Sequence, residues 1–171
     1  ISTAGYEASG TSNMKFMVNG ALTLGTMDGA NIEIFEEAGK ESGFVFGLLT
    51  EEIKKMEAEH SYNPQEYLSK NPALAKVVNQ LVDGTYDPTH QLFKELYDSL
   101  VYGVEGQRPD VYYVLADFDL YCKAQEKIAE AYLDKKSWAR KTLINIANSG
   151  KFSSDRTIED YVRDIWKLDK V

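Results

Sequence analysis

Cysteine is all but missing from this sequence: among 171 residues, Cys122 stands alone. An internal disulfide and a cysteine-built metal site are excluded. The lone thiol reads as a small apolar core residue and fits a reducing compartment. Histidine is nearly as scarce. His60 and His90 both sit in polar, turn-like stretches and read as surface residues. Ser9, Ser12 and Ser42 have no histidine close by in sequence, so a serine nucleophile triad has no support. Positive charge is in the minority: 19 Lys and Arg against 27 Asp and Glu leave a formal net charge of -8. That is a poor basis for sequence-independent nucleic-acid binding, which needs clustered cations. No apolar run comes near the ~20 residues of a membrane span. The first residues lack the basic and apolar regions of a secretory leader. The chain opens on Ile1 rather than methionine, in sequence that already looks structured, and is expected to be a truncated or processed piece.

What is present suffices for one domain with a substantial core: 43% hydrophobic residues, with eleven tyrosines and seven phenylalanines among them. Two textures divide the chain. Residues 1–50 are rich in small residues and hold most of the twelve glycines, whereas 51–171 carry long amphipathic runs. In the first part, Ile1–Thr3 reads as the end of a strand. Gly10-Thr11-Ser12-Asn13 reads as a helix entrance, followed by Met14, Phe16, Met17 and Val18. Leu22–Gly25 is a short buried strand. Asn31 to Ala38 reads as a helix with Ile32, Phe35 and Ala38 on one face, ended by Gly39. Phe44–Phe46 is a second strand. Strand, helix, strand in this order implies a βαβ unit and a parallel sheet. Two strands make no stable sheet alone, so further strands are expected upstream of Ile1.

The second part reads as helices. Thr50 precedes Glu51, Glu52 and Ile53 as a cap with acids in the first turn. Pro72 to Val82 carries Leu74, Val77, Val78 and Leu81, with a proline suited to the first turn. Gln91 to Tyr102 carries Leu92, Phe93, Leu96, Tyr97 and Leu100, and a loop follows over 103–110. Asp119 to Leu133 aligns Leu120, Ala124, Ile128 and Ala131. Ser137 to Asn148 aligns Trp138, Leu143, Ile146 and Ala147. A last helix, capped by Ser154 or Asp155, carries Ile158, Tyr161, Val162, Ile165 and Trp166. These stripes are expected to be core.

Chemistry concentrates in the segment from Ser2 to Phe16. Small and hydroxyl residues surround one carboxylate, Glu7, and one amine, Lys15. Gly10-Thr11-Ser12 at a helix entrance offers backbone N–H groups, two hydroxyls and the positive end of a helix dipole, the make-up of a phosphate seat. Lys15, one turn further on among Met14, Phe16 and Met17, is an amine of the kind that condenses with an aldehyde. The same residues equally make a plain helix cap followed by a solvated lysine. The glycine–lysine spacing is not that of a Walker loop. Asp28-Gly29-Ala30-Asn31 follows the first strand and so lies where α/β sheets place ligands; a turn with a helix cap explains it as well. Glu33, the Glu36-Glu37 to Glu41 run and the acids of 51–59 read as solvated faces.

Glu7-Ala8-Ser9-Gly10-Thr11-x-Asn13-Met14-Lys15 closely resembles the pyridoxal-phosphate attachment motif of the α-glucan (glycogen, starch or maltodextrin) phosphorylases. Asn19-Gly20-Ala21-Leu22-Thr23, Gly25 to Glu33 and Phe44-Val45-Phe46-Gly47 are similar to the stretch downstream of that motif in the family. Gly150 to Ile158, with Tyr161 and Arg163-Asp164-Ile165-Trp166, is similar to its C-terminal segment. The resemblance implies an α/β fold: the second half of a Rossmann-like C-terminal domain of a glycosyltransferase-B-type enzyme, mostly helical after residue 50. Within 1–171, residues 1–50 would form the cofactor and sugar region and 51–171 the helical region, with the last helix crossing back toward an N-terminal domain. It implies reversible phosphorolysis of α-1,4-glucan non-reducing ends to glucose 1-phosphate, assisted by the cofactor's phosphate.

By the same resemblance, Lys15 is the catalytic attachment point of pyridoxal 5'-phosphate, and Thr11 and Gly10 bind the cofactor. Glu7, Ser9 and Gly10 bind the sugar, and no metal takes part. The implied partners are α-glucan, phosphate or glucose 1-phosphate and the upstream part of the same enzyme. A homodimer is allowed, without nucleic acid or membrane, in the cytoplasm. The piece alone is expected to be inactive. Ser12 stands where the family often has glycine, and Tyr6 is assigned no role. Two rival readings remain: a non-catalytic helical interaction module, and a nucleotide-sugar glycosyltransferase, against which the Lys15 motif argues.

Overall fold

In a computed structural model, which describes residues 2–169, the glycine-rich part is a small α/β unit. Helix α1 (Ser12–Val18) is followed by strand β1 (Thr23–Gly25), helix α2 (Ala30–Ala38), a 3-10 turn (Lys40–Ser42) and strand β2 (Gly43–Val45). The strands pair in parallel, Thr23 with Gly43, Leu24 with Phe44 and Gly25 with Val45. The expected βαβ unit is therefore present, with α2 as its crossover. Helix α2 buries Ile34, Phe35 and Ala38, while Ile32 is exposed: the face spaced as i, i+1, i+4 meets the core, rather than the 32–35–38 row. Met17 of α1 packs on Ile34 and Ala38. Gly43 lets Phe35 lie close to the sheet, because a Cβ there would stand 2.6 Å from the ring and 2.8 Å from the Thr23 carbonyl oxygen. Ser2 and Thr3 are not strand; Ile1 lies outside the described residues.

Helices α3 (Thr50–Glu59), α4 (Pro64–Lys70), α5 (Pro72–Asn79), α6 (Lys94–Val101), α7 (Val114–Leu133), α8 (Lys135–Asn148) and α9 (Ser154–Asp160) follow, the last running on into a π-helical stretch, Tyr161–Trp166. Thr50 opens α3 rather than capping it; the Glu52 carboxylate accepts from the Leu49 N–H at 2.7 Å. Helix α4 has no counterpart in the sequence reading. It and α5 start alike, each with a proline in first position behind an asparagine. Asn63 Oδ1 accepts from Gln65 N and Asn71 Oδ1 from Leu74 N. Helix α7 starts earlier than its apolar pattern implies, at Val114. Asp110 lies outside the helix, yet its carboxylate accepts from the N–H groups of Val114 (2.9 Å) and Leu115 (2.8 Å). The last helix is capped by the Ser153 hydroxyl, which accepts from Arg156 N.

Leu74, Val78, Val101 and Leu115 form one core cluster, and Ala4, Ile53, Tyr113 and Ala116 form another. The second ties the start of the chain to the helices. Tyr113, 1% exposed, sits between the Tyr62 ring at 4.7 Å and the Arg108 guanidinium at 4.3 Å. Not every stripe becomes core. On α8 the buried residue is Asn145, whose Nδ2 donates to the Ser42 carbonyl at 2.9 Å just before β2; Leu143 and Ile146 are exposed. The apolar residues of the last helix are also largely exposed. Cys122 is half-buried, and His60 and His90 are exposed as read. Among the described residues no helix is long and apolar enough to cross a membrane.

Candidate functional site

Two loops meet beyond the carboxyl end of β1. One is residues 7–13, which lead into α1; the other is residues 26–31, which lead into α2. A chain of hydrogen bonds joins them. Glu7 N–H donates to Asp28 Oδ2 at 2.7 Å, Ala30 N–H to the Ser9 carbonyl at 2.7 Å, and Asn13 Nδ2 to Asn31 Oδ1 at 2.8 Å. Asn31 Nδ2 then donates to the Thr26 carbonyl at 3.0 Å, and the Thr26 hydroxyl to the Ser2 carbonyl at 2.8 Å. Gly29 makes the approach feasible: at φ 51° a side chain there would put Cβ 2.4 Å from the Ser9 carbonyl oxygen. The loops and β1 enclose a cleft of about 550 Å³, whose wall includes Glu7, Gly10, Thr11, Asn13, Thr26 and Asn31.

Of the residues singled out in the sequence, Glu7, Gly10 and Thr11 line this cleft, and Ser9 and Lys15 do not. Ser9 braces it instead, its carbonyl held by Ala30. Lys15 lies on the exposed side of α1, away from buried Met17. Its N–H donates to the Thr11 carbonyl at 3.2 Å, and its own carbonyl accepts from Asn19 Nδ2 at 2.8 Å. Its ammonium group has no hydrogen bond or ion pair among the described residues. Asn13, Thr26 and Asn31 were not singled out individually. The signal for Asn31 was its place three residues after Asp28, at the start of a helix behind a glycine turn, and that for Asn13 its place in the motif; Thr26 gave none of its own, since its role arises only from the pairing of the loops.

The cleft is suited to a polar, hydroxyl-bearing ligand beside an anion. The Glu7 carboxylate is an acceptor for hydroxyls, and the side-chain hydroxyls of Thr11 and Ser12 are uncommitted among the described residues. The first N–H groups of α1 have no acceptor within the helix. With glycine at position 10 leaving the wall open, these groups fit a phosphate, and the unpaired Lys15 amine, about one turn on, fits covalent attachment of an aldehyde cofactor. No cluster of three or more His, Cys, Asp or Glu side chains fit to hold a metal ion occurs among the described residues. Tyr6, next to Glu7, is not idle: its hydroxyl donates to Glu57 Oε1 at 2.9 Å, and burial together with that carboxylate raises its pKa.

Residues 1–168 match the family model of the carbohydrate phosphorylases. The chain belongs to the carbohydrate phosphorylase family. It is 52% identical over 172 residues to glycogen phosphorylase of Synechocystis, with all of this chain covered. It is 49% identical over 170 residues to the human muscle form of glycogen phosphorylase and 48% to the mouse muscle form, with 99% of this chain covered in each case. In all three comparisons the chain spans 19% of the relative's length. Within this carbohydrate phosphorylase sequence, one of the two cleft-lining loops comes from the segment that contains Glu7, Thr11 and Lys15, and the other from residues 26–31.

Proposed function

We propose that this chain is the cofactor-bearing piece of an α-1,4-glucan phosphorylase, an enzyme that releases glucose 1-phosphate from glucan non-reducing ends. The observation that carries the reading is the meeting of Glu7, Gly10 and Thr11 in one cleft, in a chain about half identical throughout to glycogen phosphorylases. In this reading Lys15 holds pyridoxal 5'-phosphate, and Gly10 and Thr11 receive its phosphate. Glu7 accepts from sugar hydroxyls, Gly10 donates its N–H to the sugar, and Ser9 contributes its hydroxyl or N–H. Bound there, the cofactor supplies a phosphate group that assists proton transfer to and from the substrate phosphate. The residues of this chain bind and orient; Asp28, Asn13 and Asn31 hold the two loops in register around the ligand.

The reading also makes the chain the second half of a Rossmann-like C-terminal domain in a two-domain glycosyltransferase-B architecture. Residues 1–50 are then the cofactor and sugar region and the remainder the helical region, in a cytoplasmic enzyme that allows a homodimer. Exposed Phe16 and Val18 on α1, Val45 on β2 and the apolar face of the last helix support it, because they form surface that further elements of such an enzyme would cover. Sugar and phosphate contacts from those elements complete the site, so the chain alone is inactive.

The test is borohydride trapping of added pyridoxal 5'-phosphate, with the labelled lysine located by peptide mass mapping. Selective labelling of Lys15 is expected. Labelling spread over the exposed lysines, repeated in a longer chain that restores upstream sequence, overturns the cofactor assignment. Phosphorolysis by the purified chain overturns its inactivity alone.

A further inference from the structure

Helix α1 ends on Asn19-Gly20, and no other asparagine in the sequence is followed by glycine. In an open chain such a pair is the asparagine site most exposed to deamidation, because glycine has no side chain to hinder attack by its own nitrogen on the neighbouring amide carbon. In the folded chain both partners of that attack are committed. The Gly20 N–H donates to the Met17 carbonyl at 2.9 Å and the Ala21 N–H to the Phe16 carbonyl at 2.9 Å, the paired bonds of a Schellman cap. Asn19 Nδ2, the leaving group, donates to the Lys15 carbonyl at 2.8 Å.

The backbone is also turned away from the reaction. At Asn19, φ -90° and ψ 7° put the Gly20 nitrogen on the side of the Asn19 nitrogen, whereas closing a ring on Asn19 Cγ needs it on the side of Cβ. Gly20 itself, at φ 80°, lies against α8: a Cβ there would stand 2.5 Å from Thr142 Cγ2 and 3.1 Å from Ile146 Cδ1. Turning Asn19 therefore breaks the bonds of the cap and lifts Gly20 off α8. The hold is made wholly of contacts within this chain.

We propose that Asn19 is a deamidation site gated by the C-terminal cap of α1. When the cap opens, the Gly20 nitrogen gives its proton to solvent and bonds to Asn19 Cγ, the Cγ–Nδ2 bond breaks, and Nδ2 leaves as ammonia. Water then opens the imide ring at either carbonyl and leaves aspartate or isoaspartate at position 19. The product does not rebuild the cap as it was. A carboxylate has no N–H for the Lys15 carbonyl, and its charge lies at the negative end of the α1 dipole. Isoaspartate also adds a methylene to the main chain. Opening thus becomes one-way, and it falls on the helix that carries Lys15. None of this depends on a cofactor or a glucan being bound.

The test follows deamidation at Asn19 by peptide mass mapping while the chain is held at mildly alkaline pH, folded or in urea. The folded chain is expected to react at least about ten-fold more slowly, because chemistry slower than reclosing tracks the fraction of time the cap is open. Equal rates in the two states overturn the gate, and an Asn19 that stays intact in urea overturns the site. Met17→Ala loosens α1 from Ile34 and Ala38 without touching the dipeptide, and should raise the folded rate several-fold. A folded Met17→Ala chain that reacts no faster than the unaltered one removes α1 from the gate. In Asn19→Asp, the amides of Gly20 and Ala21 should lose hydrogen-exchange protection several-fold; unchanged protection overturns the one-way consequence.

Discussion

On α5, Leu74 and Val78 are 3% and 4% exposed, packed against Val101 and Leu115. On the last helix, Ile158, Tyr161, Ile165 and Trp166 repeat at a similar helical spacing and remain 50%, 43%, 64% and 52% exposed. The two stripes are alike as sequence. What separates them is a neighbour. α5 packs beside α4 and shares a core cluster with Val101 of α6 and Leu115 of α7, whereas α9, apart from its own continuation, packs mainly on the short Ser149–Phe152 turn. Periodicity reports what a helix is able to bury. It says nothing of which surface buries it.

The largest test of this contrast removes an isoleucine from a covered helix, α3, and one from the uncovered last helix. Ile53→Ala, at a fully packed site, should cost about 2–5 kcal/mol in urea denaturation. Ile165→Ala should stay within about 0.5 kcal/mol. Comparable losses would mean that the last helix finds a cover in solution. Next in size is a pair of glycines with positive φ. Gly29→Ala drives a Cβ into the Ser9 carbonyl and should cost about 1–3 kcal/mol. Gly106→Ala meets nothing within 4 Å and should show backbone strain alone, about 1 kcal/mol. Equal values would show that the two site loops part easily.

Two aspartates then differ in sign. Asp117 has its folded pKa raised by burial. The folded state therefore holds its proton longer than the unfolded state does, and stability falls as pH rises from the usual carboxylate range through the folded value. Asp117→Asn should abolish that fall and leave the variant the more stable at neutral pH, with little difference in acid. Asp87 is held below its usual range by hydrogen bonds from Thr89, Gln91 and Leu92. Its contribution is kept above the usual range and lost on acidification, so the amides of residues 89–92 should lose hydrogen-exchange protection at low pH. The smallest effect is that of Lys70→Ala. The Lys70–Glu66 pair, 2.9 Å apart with both side chains mostly in water, should contribute less than about 0.5 kcal/mol to the thermal or chemical midpoint.

Much of the α/β part was legible. Short apolar runs bounded by glycines marked β1 and β2 to within a residue or two, and Gly39 marked the end of α2. Helix α7 was harder, because its start is set by Asp110, whose carboxylate reaches two N–H groups from outside the helix; no apolar stripe records such a cap. Helix α8 misled for the opposite reason. Its buried residue is a polar one, Asn145, recruited by the carbonyl of Ser42 far away in sequence. At the site, that Glu7, Gly10 and Thr11 lie together on one cleft wall was legible, because they share one short motif. That Lys15 lies off the cleft wall, and that Ser9 serves as a brace, could not.

The order of small residues, hydroxyls, one carboxylate and one lysine in the first fifteen positions is local information, and the sequence by itself determined the family. The positions of most helices, α4 and the start of α7 excepted, followed as well, since propensity, caps and 3.6-residue periodicity act within a few residues. Tertiary structure alone decided which stripes are covered, how Gly29 lets two distant loops touch, and that Asp117 of α7 accepts from the Leu48 N–H. Those outcomes depend on contacts between residues tens of positions apart, whose free energy is set by packing and desolvation once the elements have met.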